Sequence, residues 1–265
     1  MYDFNYVRVS SLKDASAQLK KAKDASVLAG GMTLIPTLKL RLAQPSDLID
    51  LSGIKELRGI KAKGKSVVIG AMTPHAEVAA SADVRKTIPA LAGLAGRIGD
   101  PQVRHRGTIG GSVANNDPAA DYPAACLALG ATIETDRRQI AADDFFAGLF
   151  ETALKKGEIL TAVSFPAPEA AAYMKFPNPA SRYALVGVFV AKTKAGVRVA
   201  VTGAGQGGVF RQTAMEQALG RSFTPAALDG IKIAEDGLNS DIHASAEYRA
   251  HLIGVMAKRA VQACG

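Results

Sequence analysis

The 265-residue chain carries two cysteines, Cys126 and Cys264, more than a hundred positions apart by their numbers. That rules out a disulfide framework and any cysteine metal-ligand spacing. An iron–sulfur cluster normally takes four thiolates, so this chain alone cannot hold one. A reducing, cytoplasmic compartment is the expectation for so few thiols. No stretch reaches the roughly 18 consecutive apolar residues of a membrane span. The opening Met1-Tyr2-Asp3-Phe4 lacks the basic start and apolar core of a secretory signal. His75, His105, His243 and His251 form no HxH or HExxH pattern, so they are expected at turns or helix surfaces rather than on a metal. Neither Gly30-Gly31 nor Gly110-Gly111 sits in a G-x-G-x-x-G fingerprint with a following acidic residue, and there is no internal repeat or low-complexity tract.

What is present is ordinary globular material, 48% hydrophobic and 21% charged. The length allows one large domain or two to three small ones. The net charge of +8 raises a nucleic-acid surface as one reading. The lysines are scattered, however, and no aromatics interleave with them, so no nucleic acid is expected. A ligand with two phosphates or an acidic partner protein accounts for the charge instead.

Residues 1–57 read as a small α/β unit. Ser11 caps a helix over Leu12–Leu19. Ser26-Val27-Leu28-Ala29 is a short strand that breaks on Gly30-Gly31. Thr33–Leu42 then reads as helix, with Pro36 in its first turn. From 58 to 166 the chain is richer in turns. Ser66–Ile69, Ala131–Glu134 and Ile159–Phe165 read as strands, Ile88–Gly96 as an amphipathic helix, and Asp121–Leu129 as an alanine-packed helix in which Cys126 is buried. Arg97–Gly111 reads as a long basic, glycine-rich segment. Asp143-Asp144 reads as a helix cap. Pro166-Ala167-Pro168 marks a boundary, and 167–265 forms the last unit. There Tyr183–Ala191 and Gly196–Thr202 pair as antiparallel strands, Thr202–Gly208 turns, and helices run over Pro225–Asp236 and Ala246–Ala263.

Two segments carry chemistry. In Leu28-Ala29-Gly30-Gly31-Met32-Thr33 a strand meets paired glycines and a helix start. Glycine permits positive φ and close approach of a ligand, and a helix start offers free N–H groups to a phosphate. An ordinary strand–turn–helix connection has the same pattern. In Gly107-Thr108-Ile109-Gly110-Gly111-Ser112 the glycine pair is flanked by small hydroxyl residues, with Asn115, Asn116, Asp117 and Asp121 close behind. Two such elements can grip the two phosphates of one dinucleotide from opposite sides.

Together, Ala29-Gly30-Gly31 and Thr108-Ile109-Gly110-Gly111 resemble the FAD-binding subunit of the xanthine dehydrogenase and aerobic carbon monoxide dehydrogenase family of molybdenum hydroxylases. The stretch Gln102–Asp121 resembles that family's signature, and Ile242–Arg249 its C-terminal domain. The resemblance covers essentially the whole chain. It implies that Leu28, Ala29, Gly30, Gly31, Met32, Thr33, Leu34 and Ile35 wrap the FAD pyrophosphate, and that Thr108, Ile109, Gly110, Gly111 and Ser112 hold it from the other side. Asp121 falls where the family places a carboxylate near the ribityl or ribose hydroxyls. Ile98 and Leu160 match positions lining the flavin, and Lys175 a lysine near the isoalloxazine, where positive charge favours an anionic reduced ring. Read without the family, Lys175 is a solvated lysine. Where many relatives carry a histidine, this chain has Asn115 or Asn116, and no segment builds a nicotinamide site.

The expected fold is α+β: two α/β subdomains (1–57 and 58–166) forming an FAD cleft, and a C-terminal domain (167–265) of antiparallel sheet and helices. The implied function is electron transfer through FAD from iron–sulfur clusters to a quinone, NAD or oxygen. The implied partners are a large molybdenum–pterin subunit and a small iron–sulfur subunit, assembled as a dimer of heterotrimers. No catalytic residue or metal ligand is expected in this chain itself. The alternatives are a non-catalytic nucleotide-binding module and a stand-alone flavin oxidoreductase.

Overall fold

The computed structural model describes residues 1–264. The first unit is a parallel three-stranded sheet in which Asp47–Asp50 lies between Asn5–Arg8 and Ala25–Leu28. The crossover helix Leu12–Lys21 begins where expected, because the Ser11 hydroxyl accepts the Asp14 N–H. The helix after the first glycine pair is shorter than its sequence pattern and spans only Leu34–Lys39. Beyond it, Arg41 takes a left-handed conformation with φ of 60°, which stops the helix before Leu42.

The second unit is a five-stranded antiparallel sheet in the order Ile60–Lys63, Ser66–Gly70, Leu160–Pro166, Thr132–Thr135, Gln139–Ala141. The segment Arg97–Gly111, read as basic and glycine-rich, contains the helix Pro101–Arg106 and the start of a second helix, Ile109–Asn115. The cause is capping: the Asp100 carboxylate accepts the Val103 N–H and the Thr108 hydroxyl accepts the Gly111 N–H. Asp143 and Asp144 do not cap a helix. They lie in a 3-10 turn whose start has no side-chain cap, and Asp143 pairs with Arg198 and Arg211.

The C-terminal unit is a four-stranded antiparallel sheet, Ala170–Pro177, Ala184–Thr193, Gly196–Thr202 and Phe210–Arg211 in that order. Strand Ala184–Thr193 is buried on both faces, which is why its sequence is a continuous apolar run rather than an alternation. Val186, Val188 and Val190 join the core under helix Ala246–Ala263. Phe189 and Ala191 point the other way, into the core of the second unit. Between the two sheets lies helix Tyr122–Leu129, every residue of which is buried. Its alanines keep it thin, and Gly130 at φ 63° ends it. The helix expected over Pro225–Asp236 shrinks to the 3-10 turn Pro225–Leu228. Gly230 at φ 76° breaks the chain there, and the segment is held instead by packing of Leu228 and Ile231. No helix of the described residues is long and apolar enough to cross a membrane.

Arg249, 2% exposed, ties this unit together. Its guanidinium donates to the Leu185 and Gly203 carbonyls at 2.7 and 2.9 Å and to Asp241 at 2.7 Å. Arg249→Met leaves two buried carbonyls without a donor, which should lower unfolding stability by about 3 kcal/mol. Urea unfolding of the variant checks this; a midpoint equal to that of the parent would show that the clamp contributes nothing.

Candidate functional site

The two glycine turns meet without side chains between them. A Cβ on Gly30 would lie 2.1 Å from the Arg106 carbonyl oxygen and 2.7 Å from the Gly107 Cα. Gly107 in turn lies on the ring of His75, and Gly110 on the backbone of Ala71 at the end of strand Ser66–Gly70. Gly31 is the one glycine of the two pairs with positive φ, at 76°. Gly110 and Gly111 sit in helix Ile109–Asn115 with ordinary backbone. Positive φ is therefore used at Gly31 alone; at Gly30 and Gly110 glycine is required by close approach, not by dihedral angle.

Between the turns opens a cleft of about 490 Å³, within the range of cofactor pockets. Of the sequence-derived candidates, Ala29, Gly30, Gly31, Met32, Thr33 and Leu34 line one wall. Thr108, Gly110, Gly111 and Ser112 line the opposite wall, and Ile98, Asp121 and Leu160 also face the cleft. Leu28, Ile35 and Ile109 do not line it. Ile109 is fully buried in the core of the second unit, because the helix start turns it towards the sheet.

The walls differ chemically. Among the described residues, the N–H groups of Gly30, Gly31, Met32 and Thr33 have no acceptor within the protein. Most of those of the second turn are consumed: Ile109 donates to Thr73 and Gly110 to Ala71 at 3.1 and 2.9 Å, and Gly111 to the Thr108 hydroxyl. Free main-chain donors beside a concave surface suit a diphosphate, so the first turn fits a dinucleotide by hydrogen bonding and the second by shape.

Lys175 is neither solvated nor in the cleft wall. Its side chain is 3% exposed, and Nζ donates to Asp121 at 2.9 Å. The Tyr173 hydroxyl donates to the other Asp121 oxygen. Burial pushes the Asp121 carboxyl above the usual carboxylate range, while Lys175 and Tyr173 oppose that shift. Burial, then the neighbouring Asp121, drives the Tyr173 hydroxyl well above its ordinary value. The lysine charge is thus answered within the protein by Asp121. Asn116 is likewise committed: left-handed at φ 43°, it donates through Nδ2 to Gly148 and Glu151 at 2.8 Å each.

Several cleft residues escaped sequence reasoning. Ser181, Arg182 and Tyr183 reach it from the turn between the first two strands of the C-terminal sheet. The signal was the Asn178-Pro179 turn, whose Asn178 side chain accepts the Ala180 and Ser181 N–H groups. Glu158 also lines the cleft; hydrogen bonding from Arg138 draws its carboxyl down to about 2. His75, expected at a surface, is 4% exposed and forms part of the cleft floor. Its ring lies 5.4 Å from that of Tyr122, and burial, then the Arg104 charge, depresses its pKa to about 4. Among the described residues no group of three or more His, Cys, Asp or Glu is placed to hold a metal.

With this geometry in hand, relatives can be compared. Residues 2–168 match the family described as FAD binding domain in molybdopterin dehydrogenase, and residues 171–264 the CO dehydrogenase flavoprotein C-terminal domain. The chain is 37% identical to a carbon monoxide dehydrogenase medium chain from Hydrogenophaga pseudoflava, over 98% of this chain and 96% of that one. It is 36% identical to a nicotine 6-hydroxylase medium subunit from Paenarthrobacter nicotinovorans, over 98% and 96%. A solved structure of reconstituted CO dehydrogenase from Oligotropha carboxidovorans superposes with a TM-score of 0.93, at 36% identity, over 99% of this chain and 98% of that chain.

Two predictions arise from this geometry. Gly30→Ala drives a methyl into the Arg106 carbonyl, so the turns must part, at a cost of about 1–3 kcal/mol and with loss of dinucleotide binding. Gly254→Ala, in the C-terminal helix with nothing within 4 Å of the new methyl, should instead stabilise by about 1 kcal/mol. Thermal melts and ligand titration of both variants decide; a Gly30→Ala protein that melts and binds like the parent refutes the contact. The second prediction concerns pH. The fold holds His75 neutral with its pKa near 4, against 6.5 ordinarily. The unfolded chain therefore binds the extra proton first. The stabilisation, about 3 kcal/mol, is present above pH 6.5 and lost as pH falls towards 4. Glu158 adds its loss only below its ordinary 4.5, towards about 2. His75→Gln should flatten melting temperature against pH between 6.5 and 4, leaving the steeper fall below 4.5; an unchanged upper limb counts against the assignment.

Proposed function

The chain belongs to the family of FAD-binding medium subunits of molybdenum hydroxylases, and from that premise we propose that its FAD lies in the cleft between the two glycine turns. The observation that carries the placement is the meeting of Gly30 with Arg106 and Gly107, beside four unpaired main-chain donors. Gly30, Gly31, Met32 and Thr33 donate to the pyrophosphate, and Thr108, Gly110, Gly111 and Ser112 form the wall against which it rests. Ile98 and Leu160 give the ring an apolar bed, with Tyr183 and Arg182 closing the cleft from the C-terminal unit. Asp121 presents a carboxylate held in place by Lys175 and Tyr173. Bound there, FAD supplies two-electron redox chemistry, while the protein binds, orients and shields it.

Relatives of this chain are medium subunits of multi-subunit oxidoreductases. We extend that to a large molybdenum–pterin subunit and a small iron–sulfur subunit, assembled as a dimer of heterotrimers in the cytoplasm, with electrons arriving from the clusters and leaving to an external acceptor. The relatives' names range from carbon monoxide to nicotine chemistry, because substrate choice belongs to the molybdenum subunit. Residues 1–57, 58–166 and 167–265 act as the three structural units.

The purified chain should be yellow and release one FAD per chain on denaturation. A colourless protein that takes up no added FAD, or one that takes FMN equally well, removes the cleft assignment, since FMN has no second phosphate to grip. In the absence of oxygen, aldehyde, purine or carbon monoxide should leave the isolated chain's flavin oxidised, and the matching substrate should bleach it once both partners are added. Bleaching without partners would favour a self-sufficient flavoenzyme.

A further inference from the structure

Next to the cleft lies a second recess of about 510 Å³, whose wall carries Arg97, Arg104, Lys175 and Arg182. Gly99 and Arg182 line both cavities, so only a thin partition separates them. Lys175 is neutralised by Asp121 at 2.9 Å. The three arginines are different. Among the described residues none of them is in an ion pair. One nitrogen of Arg104 donates to the Ile98 and Gly99 carbonyls at 3.0 and 2.9 Å, which fixes the guanidinium against the partition without cancelling its charge.

Arg182, exposed, is fixed at its backbone. It adopts φ of 63°, a conformation costly for a non-glycine residue unless its surroundings impose it. Here its N–H donates to the Asn178 carbonyl at 2.9 Å while the Asn178 side chain accepts two further N–H groups of the turn. Three like charges placed around one concavity repel each other. That arrangement is stable in the presence of an anion, and guanidinium groups are suited to phosphate, sulfonate and carboxylate. Pro177 and Pro179 supply apolar wall beside the charges, and the volume is that of a small planar molecule rather than a lone ion.

We propose that this recess binds the oxidising substrate, a planar electron acceptor with an anionic group held by Arg97, Arg104 and Arg182 and its ring against the Gly99 partition. The proposal rests on the FAD reading of the adjacent cleft. In the overall exchange the reduced flavin gives two electrons and two protons to the acceptor: a quinone becomes a hydroquinone and the flavin returns to its oxidised form.

Binding and transfer can be tested separately on the full chain. Calorimetry with redox-inert naphthalene-1-sulfonate, in protein with and without FAD, should show binding that weakens with added salt. Arg97→Glu, at an exposed helix end, should weaken it at least about tenfold, and Arg97→Lys should largely retain it. In the second arm the flavin is reduced chemically without oxygen and reoxidised by 1,2-naphthoquinone-4-sulfonate or by uncharged 1,2-naphthoquinone. The ratio of the sulfonated to the uncharged quinone's rate should fall about tenfold in Arg97→Glu, since a general effect on the flavin lowers both rates alike and leaves that ratio where it was. No binding of the sulfonate, equal binding by Arg97→Glu, or equal loss with both quinones overturns the proposal. A failure of the cleft reading shows differently, as a chain without flavin, and the calorimetry still decides whether the recess binds anions.

Discussion

The cleft depends on one contact, backbone against backbone, where Gly30 meets the Arg106 carbonyl and Gly107. The parallel sheet of the first unit and the antiparallel sheet of the second come together there with no side chain between them. A Cβ at Gly30 would lie 2.1 Å from the Arg106 carbonyl oxygen and force the two walls apart. The same economy continues inward, with Gly107 on His75 and Gly110 on Ala71. His75 is buried as a consequence, and its protonation is disfavoured because burial beneath that turn desolvates a charged ring and the Arg104 charge opposes it.

The second turn looks like a phosphate loop in sequence, yet most of its N–H groups hold the protein together. Ile109 and Gly110 donate to Thr73 and Ala71, in the turn that follows strand Ser66–Gly70, anchoring the helix at that strand's end. That anchoring is what gives the first turn a fixed surface to face. The two glycine pairs therefore divide the work: one supplies donors, the other supplies a rigid wall. The division explains why a free N–H inventory separates them while their sequences do not.

The C-terminal unit is more than an appendage. Its central strand is buried on both faces, and Thr202 donates to the Pro118 and Ala120 carbonyls while Arg198 donates to Leu127. These bonds seize both ends of the Tyr122–Leu129 region. Tyr173 and Lys175, from the neighbouring strand, then reach through to Asp121. The carboxylate at the cleft is thus positioned from a different unit than the glycine turns, and Arg182 and Tyr183 come from that unit as well.

The sequence by itself determined the local features. Ser11, the Gly30-Gly31 break, the Ala246–Ala263 helix and the antiparallel pair Ala184–Thr193 with Gly196–Thr202 follow from capping, glycine and apolar patterning, which act over a few residues. The paired motifs also carried the family, because they are contiguous strings. Only the tertiary structure decided which groups are spent and which are free. Whether Lys175 is solvated, whether His75 is buried, and whether Asn116 faces a ligand or ties down a hairpin depend on partners 54, 32 and 35 residues away, or on a packed ring. The short helices Pro101–Arg106 and Ile109–Asn115 were hidden for a related reason: glycine and charge argue against a helix locally, and the Asp100 and Thr108 caps together with packing on the sheet outweigh them. Burial, charge compensation and close approach are properties of residues distant in sequence, so no local pattern encodes them.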